Sequence, residues 1–283
     1  MTGSVRYRCP VCLLCLPAVE RGYECENGHR FDRAGDGYVN LLPAGRLKGR
    51  PAGDSASMIV ARRNVFDAGL YDPVIHAVAD CVVEALPHRS SRVPTVLDCG
   101  CGEGTYLAAA LAAGGSDGDG IEGWGIDISK PAVRLAARRH RDLRFAVASS
   151  YALPFEDDSF DVVLSVFSPR PFTEMMRVLV PDGTAVVVTP GPDHLQEFKS
   201  VIYADPRRHQ EPTENNADRW PIDPMLVVPI TFEVSLENPS WRTALLEMTP
   251  FWWSAPAADR AAIAESVSAA TVDMRACVYQ RSG

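Results

Sequence analysis

The stretch Val96-Leu97-Asp98-Cys99-Gly100-Cys101-Gly102-Glu103-Gly104 constrains this chain more than any other. An apolar run that breaks into G-x-G-x-G and then a helix pattern describes a buried parallel strand turning sharply beneath a ligand. Glycine is wanted there because a Cβ would block close approach of the backbone, and because such turns call for positive φ. Further on, Gly123-Trp124-Gly125-Ile126-Asp127-Ile128 reads as a second strand ending in a carboxylate. Glycines under one end and an acid at the tip of the next strand form the layout of an α/β fold that holds a nucleoside. The alternation continues, with a fourth strand over 160–166 and a fifth over 184–189. Past these, 227–236 reads as a strand, 241–248 and 257–268 as helices, and 271–280 as a closing antiparallel strand.

Two details select the ligand. The third glycine is misplaced for the dinucleotide fingerprint, G-x-G-x-x-G. Asp98 also stands just before the first glycine, where it would repel a pyrophosphate and welcome a cation. S-adenosyl-L-methionine carries an ammonium and a sulfonium and no phosphate, which suits that charge; Asp127 would take its ribose hydroxyls. An NAD enzyme is the minor reading. The order of elements over about residues 70 to 200 resembles the class I S-adenosylmethionine-dependent methyltransferases. That resemblance implies an α/β Rossmann-like domain with a seven-stranded, mostly parallel sheet.

The front of the chain differs in kind. Cys9-Pro10-Val11-Cys12 and Cys25-Glu26-Asn27-Gly28-His29 supply C-x-x-C and C-x-x-x-H pairs, a tetrahedral Zn2+ set of Cys9, Cys12, Cys25 and His29. Cys15 is a competing candidate; Cys12 is favoured by its tighter spacing from Cys9. Four protein ligands leave no open position, so the expected zinc is structural, supplying folding energy that so short a segment lacks. The other cysteines are scattered, which argues for reduced thiols beside a metal rather than a disulfide framework. Charge is uneven too. Residues 1–63 hold ten Lys/Arg against six Asp/Glu, whereas the whole 283-residue chain carries −8. A basic front end on an acidic catalytic domain suits a polyanionic partner. No run approaches a membrane span and the first residues lack a signal-type apolar core, so a soluble cytoplasmic protein is expected. The expected organisation is a zinc-ribbon-like RNA recognition module over 1–36, a basic loop and linking helix over 37–70, and the methyltransferase domain over 71–283.

Longer strings carry a closer resemblance. They include Gly-Tyr-Val-Asn-Leu-Leu (37–42), Gly-Asp-Ser-Ala (53–56), Ala-Arg-Arg (61–63), Asp-Ala-Gly-Leu-Tyr (67–71), Leu153-Pro154-Phe155, Thr189-Pro190-Gly191-Pro192-Asp193-His194-Leu195 and Met248-Thr249-Pro250-Phe251. With the zinc knuckles and the glycine turn, these resemble the bacterial large-subunit (23S) rRNA guanine-N1 methyltransferases over nearly the whole chain. The resemblance implies methylation of N1 of a guanine in a domain II hairpin of 23S rRNA. It is nearer to the housekeeping branch than to the sister branch, which modifies a neighbouring guanine and contributes to macrolide resistance. Phe167-Ser168-Pro169-Arg170-Pro171 departs from the housekeeping pattern. The resemblance also implies Tyr71, Gly102, Glu103 and His194 around the cofactor, beside Asp98, Gly100, Gly104 and Asp127, and it is compatible with a homodimer.

Guanine N1 bears a proton at neutral pH, so a base, or a donor to the anion developing on O6, is expected. Candidates beyond strand ends four and five are His194, Asp193 and Arg170, with His194 a cofactor contact first and a base second. No Asn/Asp-Pro-Pro-Tyr/Phe string follows strand four, which argues against an exocyclic amine as target. No cysteine follows Ser168-Pro169, so a covalent route to a pyrimidine lacks its nucleophile. Residues 204–224 read as a loop or lid, and Phe251-Trp252-Trp253 as core. A small-molecule methyltransferase with a structural zinc module is the same-fold alternative; an RNA-binding protein with a vestigial cofactor fold is the non-enzyme one.

Overall fold

A computed structural model describes residues 5–43, 53–87, 92–115, 120–203 and 220–282. At the front, β1 (Tyr7–Arg8) pairs antiparallel with β2 (Cys15–Leu16), and β3 (Ala18–Val19), β4 (Gly22–Glu24) and β5 (Arg30–Asp32) form a three-stranded antiparallel sheet. The large sheet takes β6 (Val39–Asn40), β7 (Thr95–Cys99), β8 (Glu122–Asp127), β9 (Arg144–Val147), β10 (Phe160–Val166), β11 (Leu179–Pro190), β12 (Leu226–Ser235) and β13 (Ala269–Gln280). Its helices are α1 (Ala56–Asp67), α2 (Asp72–Ala85), α3 (Thr105–Gly114), α4 (Lys130–Arg139), α5 (Phe172–Val178), α6 (Gln196–Ile202), α7 (Pro239–Glu247), α8 (Pro250–Ser254) and α9 (Arg260–Glu265). Local signals set several helix starts. Ser55 and Asn238 cap α1 and α7 with side-chain oxygens that accept backbone N–H groups, and prolines occupy the first turns of α2, α4 and α7.

The strand order is β12-β13-β11-β10-β7-β8-β9-β6. β6 to β11 run parallel, and β13 lies antiparallel between β11 and β12. From β7 the chain winds outward through β8 and β9, then returns to build β10 and β11 on the other side. The reversal puts a crevice outside the carboxyl ends of β7 and β10, where open α/β sheets bind ligands. β7 and β10 are buried along their whole length, as central strands covered on both faces must be.

Successive residues of these strands feed two cores. Val96, Val162, Leu164 and Val186 face α2, α3 and the C-terminal helices, whereas Leu97, Trp124, Val163 and Val187 face the other way. No helix joins β9 to β10, and the zinc module covers the sheet there instead. Tyr7 packs edge-on against Trp124 and stacks with Phe155, at ring separations of 5.0 and 5.2 Å, and the Arg8 N–H donates to Pro154 O.

Several expectations change. The seven-stranded sheet gains an eighth strand, β6, so the segment assigned to a loop and linking helix over 37–70 opens inside the methyltransferase sheet, with the Leu41 N–H donating to Val147 O. The helix expected over 257–268 contracts to α9, because Ser268 O is drawn into pairing with the Leu236 N–H at the start of the last strand. Trp252 is buried as expected and Trp253 is 40 % exposed. Residues 46–52 of the basic loop and 204–219 of the expected lid lie outside the described residues. Among the described residues, no helix is long and apolar enough to cross a membrane.

Candidate active site and metal centre

The metal ligands come from two tight turns. After β1, the Leu13 N–H donates to Cys9 O and Leu13 takes φ 63°; after β4, the Gly28 N–H donates to Cys25 O with Gly28 at φ 75°. These turns bring the ligand atoms of Cys9, Cys12, Cys25 and His29 within 4.8 Å of one another. The Cys12 and Cys25 sulfurs are 3.6 Å apart, and His29 Nδ1 is 3.4 Å from the Cys25 sulfur. The backbone N–H of Leu14, aimed at the Cys12 sulfur, pulls that thiol down to about 6, which favours the thiolate a metal needs. Cys15 falls in β2 and outside the cluster, and the four groups that come together are Cys9, Cys12, Cys25 and His29. The donor set fits tetrahedral zinc of the structural kind.

The crevice at the switch point is a cavity of about 420 Å³. Gly100 and Gly102 form its floor, both at positive φ. A Cβ on Gly100 would collide with the Ser168 side chain, whose hydroxyl donates to Cys99 O, so this glycine lets the loop after β10 close onto the turn. Asp127 stands at the tip of β8, lines the cavity and accepts the N–H groups of Gly102 (2.9 Å) and Ser129 (2.7 Å). Burial still raises its pKa. Asp98 is buried beneath the turn, and among the described residues neither of its carboxylate oxygens has a hydrogen-bond partner. Burial, with the Asp127 charge nearby, pushes Asp98 up to about 8. The buried Tyr71 hydroxyl on the cavity wall is likewise unpartnered. Buried polar atoms left open around a concave site are what a polar ligand completes. An ammonium group suits Asp98, and ribose hydroxyls suit Asp127. The residues present therefore fit S-adenosyl-L-methionine.

Other expected contacts are placed differently. Glu103 lines the cavity, but its carboxylate is taken by Arg63 (3.0 and 2.9 Å) and approached by Arg139 (3.5 Å), so it anchors α1 and α4 to the turn. Gly104 faces away: a Cβ there would meet His140 and Phe145 at 3.1 Å, and its φ of 84° starts α3. Of the three catalytic candidates, His194 alone lines the cavity. Its ring lies nearly parallel to that of Phe167, 6.2 Å away, and its Nδ1 accepts the Asp273 N–H at 3.4 Å. Asp193 and Arg170 do not line the cavity; the Arg170 carbonyl accepts the Trp220 indole N–H. Lining residues outside the expected set include Arg62, ion-paired with Asp54 beside Gly102; Tyr106 on α3; and Lys199 on α6. Arg62 had a signal in the Ala-Arg-Arg string, but the sequence did not say which arginine faces the ligand. Lys199 had none, because a lone lysine on the seven-residue α6 belongs to no motif.

Comparison with known proteins agrees with this geometry. The N-terminal zinc-ribbon model described as "RlmA, N-terminal" matches residues 7–49, and a "Methyltransferase domain" model matches residues 96–183. A Bacillus subtilis (strain 168) protein, YxjB, provisionally named a 23S rRNA (guanine-N(1)-)-methyltransferase, is 34 % identical over 277 residues, covering 95 % of this chain and 94 % of that protein. The 23S rRNA (guanine(748)-N(1))-methyltransferase of Streptomyces fradiae is 42 % identical over 200 residues, covering 70 % of this chain and 68 % of that enzyme. Full-length similarity, the zinc ribbon and the methyl-donor cavity converge, and the chain belongs to the 23S rRNA (guanine-N1)-methyltransferase family.

Proposed function

We propose that the protein transfers a methyl group from S-adenosyl-L-methionine to N1 of a guanine in a domain II hairpin of 23S rRNA. The observation that carries this reading is similarity along 95 % of the chain, zinc module included, to a relative with that provisional name. A small-molecule methyltransferase would have no use for a zinc module packed on the catalytic sheet and followed in the sequence by a basic tract. The donor supplies an electrophilic methyl on a sulfonium. The protein's own task is placement: the glycine turn, Asp98 and Asp127 fix the donor, and the walls beyond β10 and β11 receive the base. N1 is hidden in a Watson–Crick pair, so the guanine must enter unpaired or flipped. Such work on ribosomal RNA belongs in the cytoplasm.

Within the hairpin, the sequence strings favour the housekeeping position. The 42 % identity to the Streptomyces fradiae enzyme supports guanine 748 as a second reading. One experiment tests both. The protein is incubated with methyl-labelled donor and 23S rRNA lacking the modification, and the RNA is read by primer extension. Label in the RNA with a stop at one guanine of the hairpin is expected, and the stop assigns the branch. Label confined to a small molecule, or no transfer, overturns the reading.

A further inference from the structure

The N1 proton of guanine needs an acceptor, and the cavity is poor in them. Asp127 is spent on two backbone N–H groups, Glu103 on arginines and Asp54 on Arg62. Asp98 lies beneath the turn, on the donor side of the site, where the reading above commits it to the donor's ammonium. His194 accepts the Asp273 N–H at Nδ1, so that nitrogen is already occupied. Tyr71 and Tyr106 are held protonated by burial.

Lys199 is different. It lines the cavity, as His194 and Pro190 do, its side chain is buried, and Nζ has no hydrogen-bond partner among the described residues. The acids within electrostatic range are Asp193, Asp273 and Glu197. None of the three hydrogen-bonds to Nζ. The Asp273 carboxylate accepts from the Asp193 N–H (2.9 Å) and the Thr231 hydroxyl (3.1 Å), and the Glu197 carboxylate accepts from the Thr271 N–H (3.0 Å) and hydroxyl. An ammonium ion placed there would be desolvated without a contacting counter-ion, which favours the neutral amine. Burial lowers the Lys199 pKa despite those three acids.

We propose that Lys199 is the general base of the methyl transfer, its neutral Nζ accepting the N1 proton of the target guanine. This rests on the guanine-N1 reading above. As the N1–carbon bond forms, the carbon–sulfur bond of the donor breaks and its electron pair stays on sulfur. The N1–H pair remains on the base and the proton passes to Nζ, giving an ammonium.

The test is single-turnover methylation of unmodified 23S rRNA at saturating donor, over a range of pH, with donor and RNA affinities measured alongside. Lys199→Met keeps the length of the stem and removes the amine. It is expected to slow transfer about 100-fold or more, the scale of a lost general base, with donor affinity within about threefold of the unaltered protein. Lys199→Arg should be as slow, since it keeps a cation and cannot accept a proton. In the unaltered protein the rate should climb with pH to a plateau as the amine is freed. Adding methylamine to Lys199→Ala should restore transfer in proportion to the free-base fraction. Near-normal transfer by Lys199→Arg would overturn the proposal in favour of a cationic role. So would near-normal transfer by Lys199→Met, or an Ala variant that binds donor and RNA yet ignores the amine. If the unaltered protein itself leaves every guanine N1 unmethylated, the functional reading falls first and this inference with it; loss confined to the variants speaks only to Lys199.

Discussion

Among single residues, Asp98 holds the most consequential charge. A carboxyl pushed up to about 8 by burial is protonated in the donor-free protein at neutral pH, whereas the unfolded chain ionises it near 4. The folded state thus binds more protons than the unfolded one between those values, and stability must fall as pH rises across that window. Melting of the donor-free protein should show this decline from about pH 5 to 8, and Asp98→Asn should flatten it. Bound donor brings an ammonium that favours the carboxylate, so binding should release a proton. Calorimetry in buffers of different ionisation enthalpy would detect it, and Asp98→Asn should weaken donor binding at least tenfold; unchanged affinity would remove Asp98 from the site. The acid before the first glycine was legible in the sequence. That its oxygens are orphaned was not, because that depends on everything packed around them.

One level up, among the secondary elements, α1 is held over the glycine turn by one buried carboxylate. Glu103 is almost fully buried, and both contacts from Arg63 fall on one oxygen. Removing Arg63 leaves this buried carboxylate with only the longer Arg139 contact at 3.5 Å, a loss of about 2 kcal/mol, under that of a wholly uncompensated buried charge. Arg63→Ala should lower stability by that order in denaturant titration. It should also weaken donor binding indirectly, since Arg62 and Asp54 on the same segment line the cavity. A variant as stable as the parent would show that α1 is held by its apolar face alone. The sequence reads as a helix over 57–70 on the spacing of Met58, Val60, Ala61 and Val65; the structure buries Ala61 and Val65 but turns Ile59 inward and leaves Val60 exposed, and the cap at Ser55 lies outside that reading. The sequence could not distinguish the inward roles of Arg62 and Arg63, because adjacent helix residues point about 100° apart and only a packed partner says which direction is the site.

Across the molecule, the zinc module shares a core with the sheet. Tyr7 packs against Trp124 and Phe155, and Cys9 and Cys25 sit in the same apolar cluster as Leu97 and Ile126. A module that folds only around its metal therefore also covers part of the catalytic domain. Cys25→Ala, or chelation, should release one zinc per chain by atomic absorption. It should lower the melting temperature of the entire protein by several degrees, because losing apolar cover over Trp124 and Phe155 costs hydrophobic stabilisation. A separate early transition with the main one unmoved would mean the module is independent.

Spacing along the chain was enough to specify ligand chemistry. Two cysteine-bearing knuckles, glycines after a buried strand and an acid at the next strand tip each act over a few residues of backbone, so their order in the sequence already encodes them. Long-range approach settled the rest, and only in the folded molecule. Packing gave β6 to the large sheet, paired Glu103 with Arg63, left Gly104 to start a helix, and brought Lys199 to the cavity wall without a hydrogen-bond partner among the described residues. Those outcomes come from side chains far apart in the chain competing for the same buried space, and no local pattern encodes that competition.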